Sequence, residues 1–392
     1  MEFRNRTPFS VMEYAMDDKH NERHRVVAMK TGFRLVQDAE GLWQALLMEN
    51  PVLPLCVEDE YAGEMNLSPV LRESDLAPLK PLCDIIVNGT AYTPGGAAAQ
   101  EMTAGIQMYS PSGEVLVDKK LQVTGRRFYQ RQALTGEWYE TEPEPFTSLP
   151  LDYRYAFGGE CRIEADSHHA ERIPEEYLLT DVQRREHPDQ NNPPLAHMAC
   201  PVNPLGLGYM QPWYLHACEV QQVEAPRIIA LDAPFTLKQF VACLDGKVDW
   251  FAPEYQPAGF GCIGRTWLPR LPLAGTYDQQ WLETQHPDLP DDFDFGYWNG
   301  APHNQQIRYP EPGPEFVLTG FHPDGDIRFI LPAHQAMVLL RMNIGGLIPQ
   351  LLWIDTLAIN TDTFTVALTW RYLLPVRNDI RVMEARYRTE GK

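Results

Sequence analysis

Basic residues are scarce in this chain: 33 Lys and Arg stand against 53 Asp and Glu, a formal net charge of −20 over 392 residues. Such a molecule repels polyanions, so neither nucleic acid nor an anionic lipid surface is expected as a partner. Cysteine is sparse as well. Seven thiols, at positions 56, 83, 161, 200, 218, 243 and 262, are scattered without any CxxC pairing. That pattern argues for reduced thiols and against a disulfide framework. Long apolar runs are missing, and no window reaches the length that a membrane-spanning helix requires. The opening MEFRNRTPFSVMEYAMDD lacks the apolar stretch of a secretory signal, so a cytoplasmic protein without membrane insertion is expected. Catalytic signatures are missing too: there is no GxSxG elbow, P-loop, HExxH or kinase motif. No catalytic residue, metal or cofactor is therefore assigned.

What is abundant is proline, glycine and aromatic ring. The 34 Pro and 27 Gly, with 11% aromatic and 44% hydrophobic residues, describe a globular chain rich in turns. Its length suits one large or two medium domains, able to bury roughly 75% of the unfolded surface without a staple. The densest concentration of rings runs from Pro257 to Gln305, with Trp267, Trp281 and Trp298 inside it and Trp250 just upstream. Prolines pre-set the backbone there and glycines permit tight turns, so the segment reads as a rigid, irregular structure pinned by rings. Those tryptophans, with Tyr277, Tyr297 and Phe293, form either an exposed recognition surface or a core cluster. Internal packing is the favoured reading, because large rings are mostly buried.

Strand patterns dominate the rest. RVVAMKTGFRLV (Arg25 to Val36), then DAEG and LWQALL, reads as a hairpin. DIIVNGTAY (Asp84 to Tyr92) carries Asn-Gly at its centre, the strongest short hairpin signal, and the Asn88-Gly89-Thr90 sequon is read as that turn. Ile106 to Arg127 repeats the theme, and LLWIDTLAI and FTVALTWRYLL form a long pair joined at NTDT. Helices are few. Asp278 to Gln285 is one, starting at Asp278 and stopped by Pro287, and Glu171 to Glu186 holds another, broken by Pro174. The fold predicted is mainly β: antiparallel hairpins in sandwich-like sheets, with long ordered loops and few short helices. The organisation expected is an N-terminal arm over 1–24, a β-rich core over 25–332 with a polar loop insertion at about 165–204, and a C-terminal β extension over 333–392 packed on the core.

Three motifs invite chemistry. Gly259, Gly261 and Gly264 match GxGxxG, but prolines on both sides exclude the strand and helix that a dinucleotide fingerprint needs; a tight turn is the better account. His168 and His169 lie near Glu164 and Asp166, yet adjacent histidines do not share a helix or strand face, so loop histidines explain them more simply than a metal. Asp291, Asp292 and Asp294 crowd into LPDDFDFG without calcium-loop spacing; they are expected to cap turns or to pair with Arg265 or Arg270.

The order of longer blocks adds a resemblance. ESDLAPLKPLCDIIVNGTAYTPGG (Glu73 to Gly96), LQVTGRRFY (Leu121 to Tyr129), PLDYRYAFGGE (Pro150 to Glu160) and NPLGLGY (Asn203 to Tyr209) come first. PAGFGCIGRTWLPRLPLAGTYDQQWL (Pro257 to Leu282), LPDDFDFGYWNGAPHNQQ (Leu289 to Gln306) and a weaker LTGFHPDGDIRFILP (Leu318 to Pro332) follow. In these blocks the chain resembles the bacterial family called domain of unknown function 2169, linked to type VI secretion. The resemblance implies a cytoplasmic adaptor or chaperone, with no catalytic residues to carry over. Its expected partners are a type VI effector bearing a PAAR-like domain and the VgrG spike onto which that effector is loaded. Arg265, Trp267, Arg270, Tyr277, Asp278 and Trp281 are the residues expected to form a shared structural or protein-binding element, with Asp291, Asp292 and Asp294 beside them. Two other readings stay open. One is a carbohydrate-active or other hydrolase using Asp278, Asp291, Asp292 or Asp294; the other is a structural component secreted with the spike.

Overall fold

The computed structural model describes residues 1–18, 22–48, 53–65, 67–376 and 379–389. The fold is mainly β, as its sequence patterns require, and the largest sheet has seven strands among the described residues. Ser10–Asp17 and Trp43–Leu47 pair in turn along one edge of the long strand Arg23–Gln37. Its other edge pairs antiparallel with Thr365–Pro375, and Trp353–Asn360 follows. Cys83–Asn88 then joins parallel to Trp353–Asn360, and Gln306–Ile307 closes the row.

Alternation sends each face of this sheet to a different environment. Val27, Met29, Phe33 and Leu35 point into an apolar core together with Leu368, Trp370, Leu357, Ile85 and Val87. Two further sheets close that core. One has five strands, built on the hairpin Glu101–Tyr109 and Val115–Thr124 and extended by Glu315–Thr319 and Ile327–Ile330. The other has four, in the order Glu2–Asn5, Ile380–Arg388, Gln335–Met342, Leu347–Leu351. Gln335–Met342 alternates without a break, with Ala336, Val338, Leu340 and Met342 inward. The arrangement is sandwich-like. Strands from the first 24 residues, from the middle of the chain and from its last 60 share hydrogen-bonded sheets.

The opposite face of the large sheet is buried yet charged. Lys30, Asp84, Asp355, Thr369 and Arg371 project from it and are covered by the segment that carries Cys56, Asp75 and Lys80. A second apolar core lies apart from the first and gathers residues between Tyr129 and Tyr255. Stacked rings hold it, with Phe157 on Phe235 at 3.9 Å and Tyr129 on Phe240 at 4.5 Å.

Several local expectations resolve differently. Asn88-Gly89 is a corner and not a hairpin: Cys83–Asn88 stays in the large sheet while Thr90–Tyr92 pairs with Ser148–Pro150. Glycine is needed there because a Cβ would lie 1.8 Å from Thr361 Oγ1. The polar insertion is structured as well. Ala196–Ala199 pairs with Glu160–Ile163, and Asp181–Glu186 is a helix capped by Thr180 and Gln183. Pro174 separates this helix from the single turns Ala170–Arg172 and Glu175–Tyr177.

Candidate functional site

The ring-rich segment folds as predicted, irregular and without strands from Ala258 to Gln305. Its glycines serve close approach more than turning. Added Cβ atoms at Gly259 and Gly264 would meet the rings of Tyr153 and Trp267 at 2.5 Å. Those two rings meet edge to face at 5.2 Å, and the Tyr153 hydroxyl donates to the Gly261 carbonyl at 2.9 Å. Trp267 is thus a buried structural wedge.

Of the two roles expected for the aspartate cluster, pairing with the two arginines is not the one observed; the arginines' partners come from far earlier in the chain. Arg270, itself buried, donates to Glu73 Oε1 at 2.5 Å, to the Ile263 carbonyl at 2.7 Å and to the Tyr297 carbonyl at 2.6 Å. Arg265 reaches Glu73 at 3.1 Å and Asp59 at 3.0 Å while its guanidinium lies over Trp298. Burial works to raise the Glu73 carboxyl, but the charges of Arg270 and Arg265 outweigh it and hold the group below its ordinary value. This double fork ties residues 59–73 to residues 263–299.

The clasp continues into the charged face of the large sheet. Asp75 accepts from Lys30 at 2.6 Å, from Thr369 at 2.9 Å and from the Cys56 backbone at 2.7 Å. Asp84 accepts from Lys80 at 2.8 Å and from Asn299, Gly300 and Ala301 at 3.0 to 3.2 Å. Arg371 pairs with Asp355 and donates to the Ala77 carbonyl at 2.7 Å. One block, Glu73 to Asp84, therefore supplies four paired buried charges, Glu73, Asp75, Lys80 and Asp84. Sequence reasoning passed over them. The readable signal was acids and a lysine set among apolar residues in a block singled out for other reasons.

The remaining sequence-predicted residues lie at the surface. Asp278 caps the helix Gln279–Thr284, accepting from the Trp281 backbone at 2.8 Å. Trp281 donates its indole N–H to the Asp288 carbonyl at 2.9 Å and meets Tyr277 edge to face at 4.7 Å, with Tyr277 half exposed. Asp292 accepts from the Thr276 backbone and hydroxyl at 2.9 and 2.7 Å, which lowers its pKa. Asp294 caps the turn Phe295–Trp298 through the Gly296 backbone, and Asp291 is exposed. Asp278 and Asp294 thus cap local turns and Asp292 tethers the loop at Thr276; none is drawn into the arginine clasp.

Two other clusters carry titratable groups. A depression of about 990 Å³ contains a directed chain, in which the Asp189 backbone donates to His187 Nδ1 at 3.1 Å. That bond leaves the proton of neutral His187 on Nε2, which donates to His197 Nδ1 at 2.8 Å; His197 Nε2 then donates to Glu160 at 2.9 Å. Burial and the neighbouring His197 lower the His187 pKa, consistent with a neutral ring. No hydroxyl or thiol lines this depression among the described residues. Asp18, Glu22 and His24 bring one donor atom each within 4.8 Å, though His24 Nδ1 is already 2.7 Å from the Glu22 carbonyl oxygen. Among the described residues no helix is long and apolar enough to cross a membrane.

The family model described as "Uncharacterized protein conserved in bacteria (DUF2169)" matches residues 20–371. No curated protein and no solved structure gives a significant match.

Proposed function

The chain belongs to the DUF2169 family of uncharacterized bacterial proteins, and from that premise we propose that it is a non-covalent adaptor. In this reading it binds a type VI effector bearing a PAAR-like domain in the cytoplasm and delivers it to the VgrG spike. The observation that carries the reading is an open, apolar sheet edge. Leu347–Leu351 ends its sheet, paired on one side only among the described residues. Leu347 and Leu351 are 56% and 55% exposed, and Ile344 in the adjoining turn is 96% exposed. Pro349 removes one backbone donor midway along this edge, so the exposed apolar side chains, rather than a complete strand ladder, are what a partner would cover. The buried, fully paired clasp elsewhere in the fold fits a preformed scaffold, which binds with less ordering cost.

The hydrolase reading draws no support from the acids it needs, two of which cap turns while a third tethers a neighbouring loop. The secreted-component reading separates from the adaptor by location, since only the former puts the chain in the medium when the apparatus fires. The decisive experiment is co-purification of the tagged chain with a PAAR-like effector encoded beside it. A stable complex that Leu347→Asp with Leu351→Asp abolishes is expected. A complex indifferent to both substitutions, or none at all, overturns the proposal.

A further inference from the structure

A local departure from the acidic character of this molecule lies on the outward face of the four-stranded sheet. A trough of about 730 Å³ is lined by five arginines, Arg4, Arg6, Arg341, Arg381 and Arg386. Two glutamates, Glu2 and Glu384, share it, which leaves a local excess of three positive charges on a chain whose net charge is −20. The strand register explains the gathering. Arg4 lies opposite Glu384 in the parallel pair, and Leu339 lies opposite Glu384 on the other side. Arg341 is two residues beyond Leu339 on the same face, and it lies opposite Leu347 of the apolar edge.

Glu384 shows what the trough recognises. Its side chain is 2% exposed, yet it is charged and forked: Arg341 donates to both oxygens at 3.1 and 3.2 Å, and Arg386 donates at 2.8 Å. Arg4 is similarly forked onto Glu2 at 2.7 Å through two donors. Arg6 and Arg381 are exposed and lie within ion-pair distance of no carboxylate among the described residues. Arg6 is still held in place, because its backbone donates to the Ala385 carbonyl at 3.1 Å. Two ready arginines therefore stand beside three that are already engaged, and beyond Arg341 the face becomes apolar at Leu347 and Leu351.

We propose that this trough binds a short acidic segment of a partner protein, carboxylates on Arg6 and Arg381, with flanking apolar side chains on Leu347 and Leu351. Guanidinium forks match carboxylate geometry, and so favour Asp and Glu side chains. The strongly negative remainder of the molecule disfavours an extended polyanion while tolerating a compact one. From the Glu2–Asn5 edge to Leu347–Leu351 is three strand spacings, roughly 14 Å, or about four extended residues. This inference rests on the adaptor reading only for who supplies the segment.

The test uses the full chain and a fluorescein-labelled peptide of four glutamates followed by two leucines. Fluorescence anisotropy is expected to show saturable binding that weakens as salt rises. Arg6→Glu with Arg381→Glu should weaken it roughly tenfold or more, whereas Arg6→Lys with Arg381→Lys should give a smaller, intermediate loss, because the charge is kept while the bidentate fork is lost. Unchanged melting temperatures for both variants establish that the fold is intact. Equal binding of a peptide with four lysines, indifference to the charge reversal, or arginine-dependent capture by phosphatidylserine vesicles each overturns the proposal. Peptide binding without effector co-purification sinks the adaptor reading alone; a co-purified effector indifferent to the charge reversal sinks this one alone.

Discussion

Arg270 and Glu73 are buried together, so each makes the other tolerable. Replacing Arg270 with Met leaves the Glu73 carboxylate without its principal counter-charge and strips hydrogen bonds from the Ile263 and Tyr297 carbonyls. Breaking one member of such a pair costs about 3–5 kcal/mol, and Glu73→Gln in the same chain should restore part of it. Urea unfolding of both variants measures this, and equal loss in the two would contradict it. The same residues set acid sensitivity. Burial opposes ionisation of Glu73 and Asp75, but Arg270 and Lys30 prevail, so both carboxyls titrate below their ordinary values of 4.5 and 3.8. Their contribution is complete above those values and is lost as the pH falls through the lower folded-state ones, so stability should drop on acidification below about pH 4.5. Lys119 behaves oppositely. Burial drives it from 10.5 to about 7, and its neutral amine still satisfies the Gly259 carbonyl and Gln305 Oε1 at 2.6 and 2.8 Å. Between those two values the unfolded chain holds more protons than the folded one. Stability should therefore rise with pH from 7 towards 10.5, by at most about 1.4 kcal/mol per pH unit. Comparing urea midpoints of wild type and Lys119→Met at pH 7, 8 and 9 isolates that slope, which the variant should lack.

Elements show which parts of the fold were readable from local pattern. The hairpins Arg23–Gln37 with Trp43–Leu47, Glu101–Tyr109 with Val115–Thr124, and Trp353–Asn360 with Thr365–Pro375 all follow from β-branched alternation broken by a turn. The helix after Asp278 follows from its cap, and Asp278→Ala should cost about 1 kcal/mol, readable as a shift in melting temperature. Pro212–Ala217 and Leu237–Leu244 escaped notice, although Thr236 and Gln239 form a capping box in front of the second. Short helices of six and eight residues carry too little periodicity to stand out from loops. Asn88-Gly89 misled because a hairpin turn and a sheet-to-sheet corner ask for the same residues. Tertiary contact decides between them: Gly89 lies against Thr361, a residue more than 270 positions away. Gly89→Ala should therefore destabilise by roughly 1–3 kcal/mol, with partial rescue by Thr361→Ala, because the second change removes the hydroxyl that clashes. The arginine clasp was only half legible for the same reason. Arg265 and Arg270 stood out by their neighbours in sequence, but their partners, Asp59 and Glu73, lie 192 to 206 residues upstream.

At the scale of the molecule, the large sheet cannot be assembled from any contiguous half of the chain. Arg23–Gln37 and Cys83–Asn88 are held together through Thr365–Pro375 and Trp353–Asn360, which stand between them. The four-stranded sheet repeats the device, because Glu2–Asn5 adds in parallel to Ile380–Arg388. Pairings across more than 300 residues carry a large loop-closure entropy cost before any contact forms, which predicts slow refolding with one cooperative transition for the main core. A chain cut to residues 25–332 keeps Asp59, Glu73, Arg265 and Arg270 yet loses Asp355 and Arg371, the edge strand Ser10–Asp17 and the two strands that join the sheet's halves. It also exposes the inner faces of Val27, Met29, Phe33, Ile85 and Val87, which are fully or almost fully buried in the intact chain. We therefore expect 25–332 to give no cooperative melt and to bind a dye that reports exposed apolar surface. Adding residues 333–392 as a separate polypeptide should restore a cooperative transition if sheet completion is what was lost. A well-folded 25–332 with a sharp thermal transition of its own would show instead that the Glu73 clasp with Arg265 and Arg270 and the remaining strands organise the core without Asp355, Thr369 and Arg371, and that the two C-terminal strands are dispensable for joining the sheet's halves.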